Sequence, residues 1–180
     1  MKRLFIAIPV AEEIKKRLKP LLRELRETGA DLKLVSVENI HFTLKFLGDV
    51  DEENIPEMIQ KLTAISFKPF TISLQGVGVF PSAERINVLW VGMNSPKLIS
   101  LMKKINFTLN YIRQEEREEV PHLTIARVKS GKNKEKLQQL VEKYHHTSFG
   151  EMKVDKIVLY ESELGKEGPK YIVMKEIELR

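Results

Sequence analysis

The chain has 180 residues, of which 42% are hydrophobic; it carries 30 basic and 25 acidic residues, a formal net charge of +5, and no cysteine. A chain of this length can bury one substantial core, which favours a single domain spanning residues 1–180. The excess of positive charge would favour an anionic partner, but 30 basic against 25 acidic residues is more typical of solvated helix faces rich in lysine and glutamate than of a nucleic-acid patch. Without cysteine the chain forms no disulfide and no thiolate metal site. No apolar run approaches the roughly 18 residues of a membrane span, and the N-terminus lacks the pattern of a secretory leader, so we expect a cytoplasmic protein.

The first half of the chain alternates strands and helices. A strand at residues 3–10 precedes an amphipathic helix at 12–25, and a second strand at 41–47 precedes a helix whose apolar stripe runs from Ile55 to Ile65. Two further strands, at 70–80 and 86–93, are joined by a turn that contains proline and serine.

The second half repeats this order. Ser95 and Pro96 predict the start of a helix that extends to Leu109, and a strand at 122–128 and a helix between Leu137 and Tyr144 follow. Two strands at 154–164 and 170–179 close the chain. Because the order strand, helix, strand, helix occurs twice, we expect an internal duplication and an α+β fold of two similar lobes.

One four-residue pattern, histidine–apolar–threonine–apolar, occurs on a predicted strand of each half: HFTL at 41–44 and HLTI at 122–125. Alternate side chains of a strand share a face, so His41 and Thr43 point to one side while their apolar neighbours enter the core. His122 and Thr124 do the same. If a pseudo-two-fold relates the halves, two imidazoles and two hydroxyls meet at one cleft.

A third histidine and threonine at this spacing, His145 and Thr147, lack apolar neighbours and follow a predicted helix. We interpret this copy, together with the intervening His146, as a polar helix end without a catalytic role.

Two imidazoles and two hydroxyls suit phosphoester chemistry without a metal. One imidazole can accept a proton from the attacking group while the other donates one to the leaving oxygen, and the hydroxyls can donate to the phosphoryl oxygens. Arg127 is a candidate cation, but strict alternation places it on the face opposite His122 and Thr124. It needs a β-bulge, a strand end or its long reach to join them. No carboxylates lie at ligand spacing beside the motifs, so no metal or cofactor is expected.

The motifs HFTL and PHLTIAR, the opening RLFIAIP, the FLG after the first motif, GVGVFPS and the closing ESELGKEGPKY occur in family order along the chain. Together they resemble the two-histidine (2H) phosphoesterase superfamily, specifically its RNA 2′,3′-cyclic phosphodiesterase branch, also called 2′-5′ RNA ligase-like. The resemblance implies two lobes of antiparallel sheet, with helices packed outside, about a pseudo-two-fold axis and a central cleft.

The resemblance also implies a reaction, in which water opens an RNA terminal 2′,3′-cyclic phosphate and leaves a 2′-phosphomonoester. His41 is then the proton donor and His122 the proton acceptor, while Thr43 and Thr124 hold the phosphate and Arg127 lies beside the phosphate or base. The near-symmetry of the motifs leaves the assignment of acid and base open. The implied partner is RNA with a cyclic phosphate end or a small cyclic nucleotide, bound by a monomer.

Three aromatic residues are candidates for stacking on a nucleobase: Phe80, Tyr160 and Tyr171. Core packing is the alternative for each of them, and Trp90 alternates with core positions, which favours a structural role.

Two other functions stay open. The chain has no P-loop, no dinucleotide fingerprint and no ligase lysine motif, which argues against ATP-driven ligation. Reversible, ATP-independent 2′-5′ RNA ligation and a non-catalytic module that binds RNA ends or nucleotides remain as alternatives to the hydrolase.

Overall fold

The computed structural model of the protein describes residues 1–114 and 120–180. Its helices are α1 (Glu12–Glu27), α2 (Ile55–Thr63), α3 (Pro96–Thr108) and α4 (Lys134–Tyr144). Its strands are β1 (Lys2–Pro9), β2 (Leu32–Leu34), β3 (His41–Val50), β4 (Phe70–Pro81), β5 (Ile86–Met93), β6 (His122–Val128), β7 (Ser148–Val154), β8 (Lys156–Gly165) and β9 (Gly168–Glu178). The predicted α+β class is confirmed.

The strands form two antiparallel sheets of matching design. The four-stranded sheet has the order β3-β1-β8-β9, and the five-stranded sheet has the order β2-β6-β5-β4-β7. Each motif strand, β3 or β6, therefore pairs with the strand that leads into the preceding long helix, β1 before α1 or β5 before α3, and β2 is an addition at one edge. This correspondence is the one a pseudo-two-fold relation requires. Each sheet also draws strands from both halves of the sequence, so neither half builds a lobe alone.

The helices cover the sheets in pairs. The first and last, α1 and α4, pack on the five-stranded sheet, whereas α2 and α3 pack on the four-stranded one. Helix α1 is continuous through Pro20 and buries one apolar face, and α3 begins as predicted, with the Ser95 hydroxyl accepting a hydrogen bond from the Leu98 amide at 3.2 Å. None of the helices in the described ranges is long and apolar enough to cross a membrane.

Two strands were not predicted. Strand β2 has only three residues, too few for a periodic pattern. In β7 the alternation is broken, because Leu74 pairs with Gly150 and Gln75 with Ser148, which leaves Phe149 as an extra residue, and Gly150 has a φ of 99°. The sequence between α4 and residue 154 therefore shows no clear period-two signal, although it forms an edge strand.

Candidate active site

The two motif strands contact each other where a cleft of about 510 Å³ opens between the sheets. His41 is the first residue of β3 and His122 the first residue of β6, so both imidazoles lie at strand starts. The cleft is lined by His41, Thr43, His122 and Thr124 together, while the apolar residues between them are buried in the core. The structure thus brings the two motifs to one site.

Both imidazoles are held in the same way. Nδ1 of His41 lies 2.6 Å from the carbonyl oxygen of Asn39, and Nδ1 of His122 lies 2.7 Å from that of Val120. A carbonyl only accepts, so each Nδ1 carries the proton and donates it, which leaves Nε2 as the ring nitrogen that gains and loses a proton. Nε2 of His41 is 3.1 Å from the Thr43 hydroxyl. Each strand therefore presents one titratable nitrogen.

The surroundings of the two rings differ. His41 is 5.0 Å from the ring of Phe5 and 5.1 Å, edge to face, from the ring of Tyr171, whereas His122 packs edge to face with Phe80 at 5.0 Å. Burial among these rings lowers the pKa of His41, and the hydrogen bond to the Asn39 carbonyl opposes that shift. His41 consequently favours its neutral form more than an exposed histidine does.

A β-bulge brings Arg127 into the cleft. Along β5 and β6, Trp90 pairs with Thr124 and Leu89 with Ala126, so Ile125 is an extra residue without a partner on β5. Ile125 and Ala126 are both buried, and Arg127 consequently returns to the face of Thr124 and lines the cleft. Of the three ways in which Arg127 could join the site, the structure uses the bulge. The positive charge of its guanidinium opposes the rise that burial causes in the pKa of Tyr171, on the four-stranded sheet.

The same bulge occurs in β3, with a different outcome. Ala7 pairs with Thr43 and Ile6 with Lys45, so Leu44 is the extra residue that corresponds to Ile125. The position equivalent to Arg127 is then Phe46, which lines the cleft with 50% of its surface exposed. The pseudo-symmetry is therefore broken beyond the motifs, with a cation on one side of the cleft and an aromatic ring on the other.

Of the three aromatic residues predicted to stack on a nucleobase, one lines the cleft and two do not. Tyr171 lines the cleft. Tyr160 stacks on Phe5 at 5.2 Å, and Phe80 packs between His122 and Trp90, with 5.2 Å between the Phe80 and Trp90 rings; neither lines the cleft. In the structure Tyr160 and Phe80 pack behind and beside the imidazoles, which is the packing alternative.

Sequence reasoning missed several residues that line the cleft: Arg3, Phe5, Asn39, Phe46 and Arg113. Arg3 and Phe5 lie on β1, the neighbour of β3, and no local motif marks them. The described lining contains no aspartate or glutamate, and no group of three histidine, cysteine or acidic residues within the described ranges is placed to hold a metal ion. The site therefore concentrates positive charge from three arginines, which attracts an anion.

The third histidine–threonine pair lies elsewhere. His145 and His146 follow α4, with their rings 4.5 Å apart, and neither lines the cleft.

Comparison with known proteins gives a consistent picture. The family model described as LigT like Phosphoesterase matches residues 8–90 and 91–171, and each stretch contains one of the two motifs. The chain is 42% identical to a protein of Methanocaldococcus jannaschii named RNA 2′,3′-cyclic phosphodiesterase, over 97% of this chain and 99% of that protein. A protein of Aquifex aeolicus with the same name is 41% identical, over 94% of this chain and 89% of that protein. Among solved structures, a protein of Thermus thermophilus superposes with a TM-score of 0.83 at 26% identity, covering 99% and 98% of the two chains.

Proposed function

The chain belongs to the LigT-like phosphoesterase family of the two-histidine superfamily, and from this premise we propose that it hydrolyses the 2′,3′-cyclic phosphate at an RNA end to a 2′-phosphomonoester, with two histidines and no metal. Relatives that carry the name RNA 2′,3′-cyclic phosphodiesterase match nearly the whole chain and support the reaction. The observation that carries the mechanism is the pair of imidazoles, which present Nε2 to one cleft whose described lining has no carboxylate.

The proposed step balances with one water molecule. Nε2 of His122 accepts a proton as the water oxygen attacks phosphorus, and the bond between phosphorus and O3′ breaks. Nε2 of His41 donates its proton to O3′, which leaves a 3′-hydroxyl and a 2′-phosphate. The hydroxyls of Thr43 and Thr124 donate to the two non-bridging oxygens, where negative charge grows.

The lowered pKa of His41 bears on its role as the acid. A proton donor must start protonated, and burial opposes that in the free protein. The cyclic phosphate is an anion, and its arrival beside the ring stabilises the imidazolium form. Substrate binding therefore charges the acid, and the guanidinium of Arg127 neutralises the remaining negative charge of the phosphate.

The difference between the two sides of the cleft supports one orientation of the bound nucleotide. With Arg127 on the five-stranded sheet and Phe46 and Tyr171 on the other, the base has an aromatic surface on one side only, and the buried ring of Phe5 packs beneath Tyr171. We assign nucleobase stacking to this surface, since such contacts are sequence-tolerant and contribute about 1–3 kcal/mol per base.

The test is turnover of a nucleoside 2′,3′-cyclic phosphate in excess chelator. We expect a 2′-phosphate product from the wild-type protein and none from His41→Asn, whose amide keeps a donor for the Asn39 carbonyl but lacks Nε2. Saturable binding without product would instead favour the non-catalytic module. The reverse reaction, ATP-independent 2′-5′ ligation, uses the same groups with their roles exchanged and is the second candidate.

A further inference from the structure

Two arginines at the cleft have no part in the proposed chemistry. Arg3 lies on β1, and Arg113 lies in the segment that follows α3; both side chains are exposed, and both line the cleft. Within residues 1–114 and 120–180, neither guanidinium is within ion-pair distance of a carboxylate. They are charged groups that face an open cavity.

The backbone places these two arginines at one level of the four-stranded sheet. Nη1 of Arg113 lies 3.5 Å from the point that a Cβ on Gly48 would occupy, and Gly48 pairs with Leu4, the neighbour of Arg3. Gly48 has a φ of 72°, the left-handed region that glycine favours, and the Arg113 guanidinium packs against its backbone. The two cations therefore flank the same stretch of β1 and β3.

This level is separated from the reacting phosphate. Gly48 follows Thr43 by five positions along β3, two of them bulged, so the backbone at Gly48, beside which the Arg113 guanidinium lies, is roughly 10–15 Å from Thr43 at the usual rise per residue. The half-exposed ring of Phe46 lies between them. One phosphate cannot contact both places, because a hydrogen-bonded guanidinium lies only about 3 Å from its phosphate oxygen.

The order along the sheet is thus a phosphate site, an aromatic surface and a cation pair. The last nucleotide of an RNA strand offers the same three groups, because its ribose joins the terminal phosphate to the preceding backbone phosphate and also carries the base. Proteins that hold single strands combine a positive track for the backbone with aromatic rings for the bases. A free cyclic nucleotide offers nothing to the third element.

We propose that Arg3 and Arg113 bind a backbone phosphate on the 5′ side of the cyclic end, so that the end of a single-stranded oligonucleotide is a better substrate than a free cyclic nucleotide. This rests on the proposed function, since it places the cyclic phosphate between His41 and His122. It assigns the substrate's polarity, with the RNA strand leaving the cleft over Phe46 toward Arg3 and Arg113.

The experiment compares kcat/KM for a nucleoside 2′,3′-cyclic phosphate with that for RNAs of two to five nucleotides ending in the same cyclic nucleotide. Wild-type protein should show a stepwise rise in kcat/KM at the length that first supplies the bound phosphate. Arg3→Gln and Arg113→Gln should each lower the ratio of oligonucleotide to mononucleotide activity about 5–10-fold, as expected for one charge-assisted contact. Arg26→Gln, an exposed position in the last turn of α1 and outside the cleft, is the matched control and should leave the ratio unchanged.

Salt dependence provides a second readout. Loss of one phosphate contact should reduce the slope of log(kcat/KM) against log salt by about 0.7 on the oligonucleotide and leave the slope on the mononucleotide as in the wild type. The phosphate site would be refuted if kcat/KM showed no step with RNA length, or if the arginine variants lowered kcat/KM equally on both substrates. Either result would leave the hydrolase activity unaffected.

Binding separates this inference from the proposed function. A short RNA with a 2′-phosphate end should bind more weakly to Arg113→Gln than to wild type by fluorescence anisotropy, whether or not the protein turns over. If Arg113→Gln binds the RNA more weakly but the wild type shows no turnover, only the hydrolase proposal is refuted. If wild type and Arg113→Gln bind the RNA with equal affinity, the phosphate site is refuted.

Discussion

Replacing either cleft histidine by alanine should abolish most turnover, because the proposed reaction needs an acid and a base in the same step. General acid–base groups contribute about 10²–10⁴-fold each, so His41→Ala and His122→Ala should each lose about two to four orders of magnitude in kcat. The double variant should be little worse than either single variant, because neither group works without the other.

The structure also predicts that the two alanine variants differ in stability. His41→Ala loses the hydrogen bond to Asn39 and ring contacts with Phe5 and Tyr171, which together are worth on the order of 2–4 kcal/mol. His122→Ala loses one hydrogen bond and one ring contact, with Phe80, which are worth about 1–3 kcal/mol. Thermal unfolding should therefore rank the wild type first and His41→Ala last.

The assay is single-turnover hydrolysis of a nucleoside 2′,3′-cyclic phosphate at a temperature where thermal unfolding shows each variant to be folded. His145→Ala and His146→Ala are the matched controls, and both should keep wild-type turnover. Strictly additive losses in the double variant would refute the shared site, and a large loss in either control would refute the dismissal of the third histidine–threonine pair.

Three further predictions concern the pH dependence, Arg127 and the reaction's direction. If His41 is the donor, kcat/KM falls as the pH rises through the lowered pKa of His41. The corresponding fall in kcat lies at higher pH, because bound phosphate favours the imidazolium. If the lowered pKa instead appears on the acidic side of the kcat/KM profile, His41 is the proton acceptor and His122 the donor. Arg127→Lys keeps the charge but loses the planar guanidinium, whose two nitrogens can bind the phosphate together, so we expect a loss of about tenfold in kcat/KM. Arg127→Ala should lose more. Equal activity of Arg127→Lys and wild type would show that Arg127 acts through its charge and not through a two-nitrogen contact. In a mixture of cyclic-phosphate-ended RNA with 5′-hydroxyl RNA, 2′-phosphate should form faster than joined strand, and the opposite order measured by gel electrophoresis would make ligation the main activity.

The sequence predicted the parts of the site that are local and repeated. The alternation in HFTL and HLTI was sufficient to predict which side chains leave the core, because nothing interrupts the strands between each histidine and its threonine. Beyond the threonines the rule fails, since Leu44 and Ile125 are bulged residues. A bulge depends on the pairing with the neighbouring strand, so the sequence left a bulge, a strand end and the long side chain as three equal ways for Arg127 to reach the site.

The residues missed at the site reach it through tertiary structure. Arg3 and Phe5 are brought to the cleft by the pairing of β1 with β3, and Arg113 by the path of the chain after α3. Tyr160 and Phe80 were predicted at the substrate site but pack near the histidines instead. Sequence alone does not separate these two positions, because an aromatic residue beside an active site packs against its histidines as readily as it faces the substrate.

Whether two histidines open a cyclic phosphate without a metal can be decided by the identity of the product formed in excess chelator. The protein is incubated with a nucleoside 2′,3′-cyclic phosphate in excess chelator, and the product is identified by phosphorus NMR. We expect a 2′-phosphomonoester formed at the same rate with and without chelator. Loss of turnover in chelator that zinc or manganese restores, or a 3′-phosphate as the product, would rule out the two-histidine mechanism.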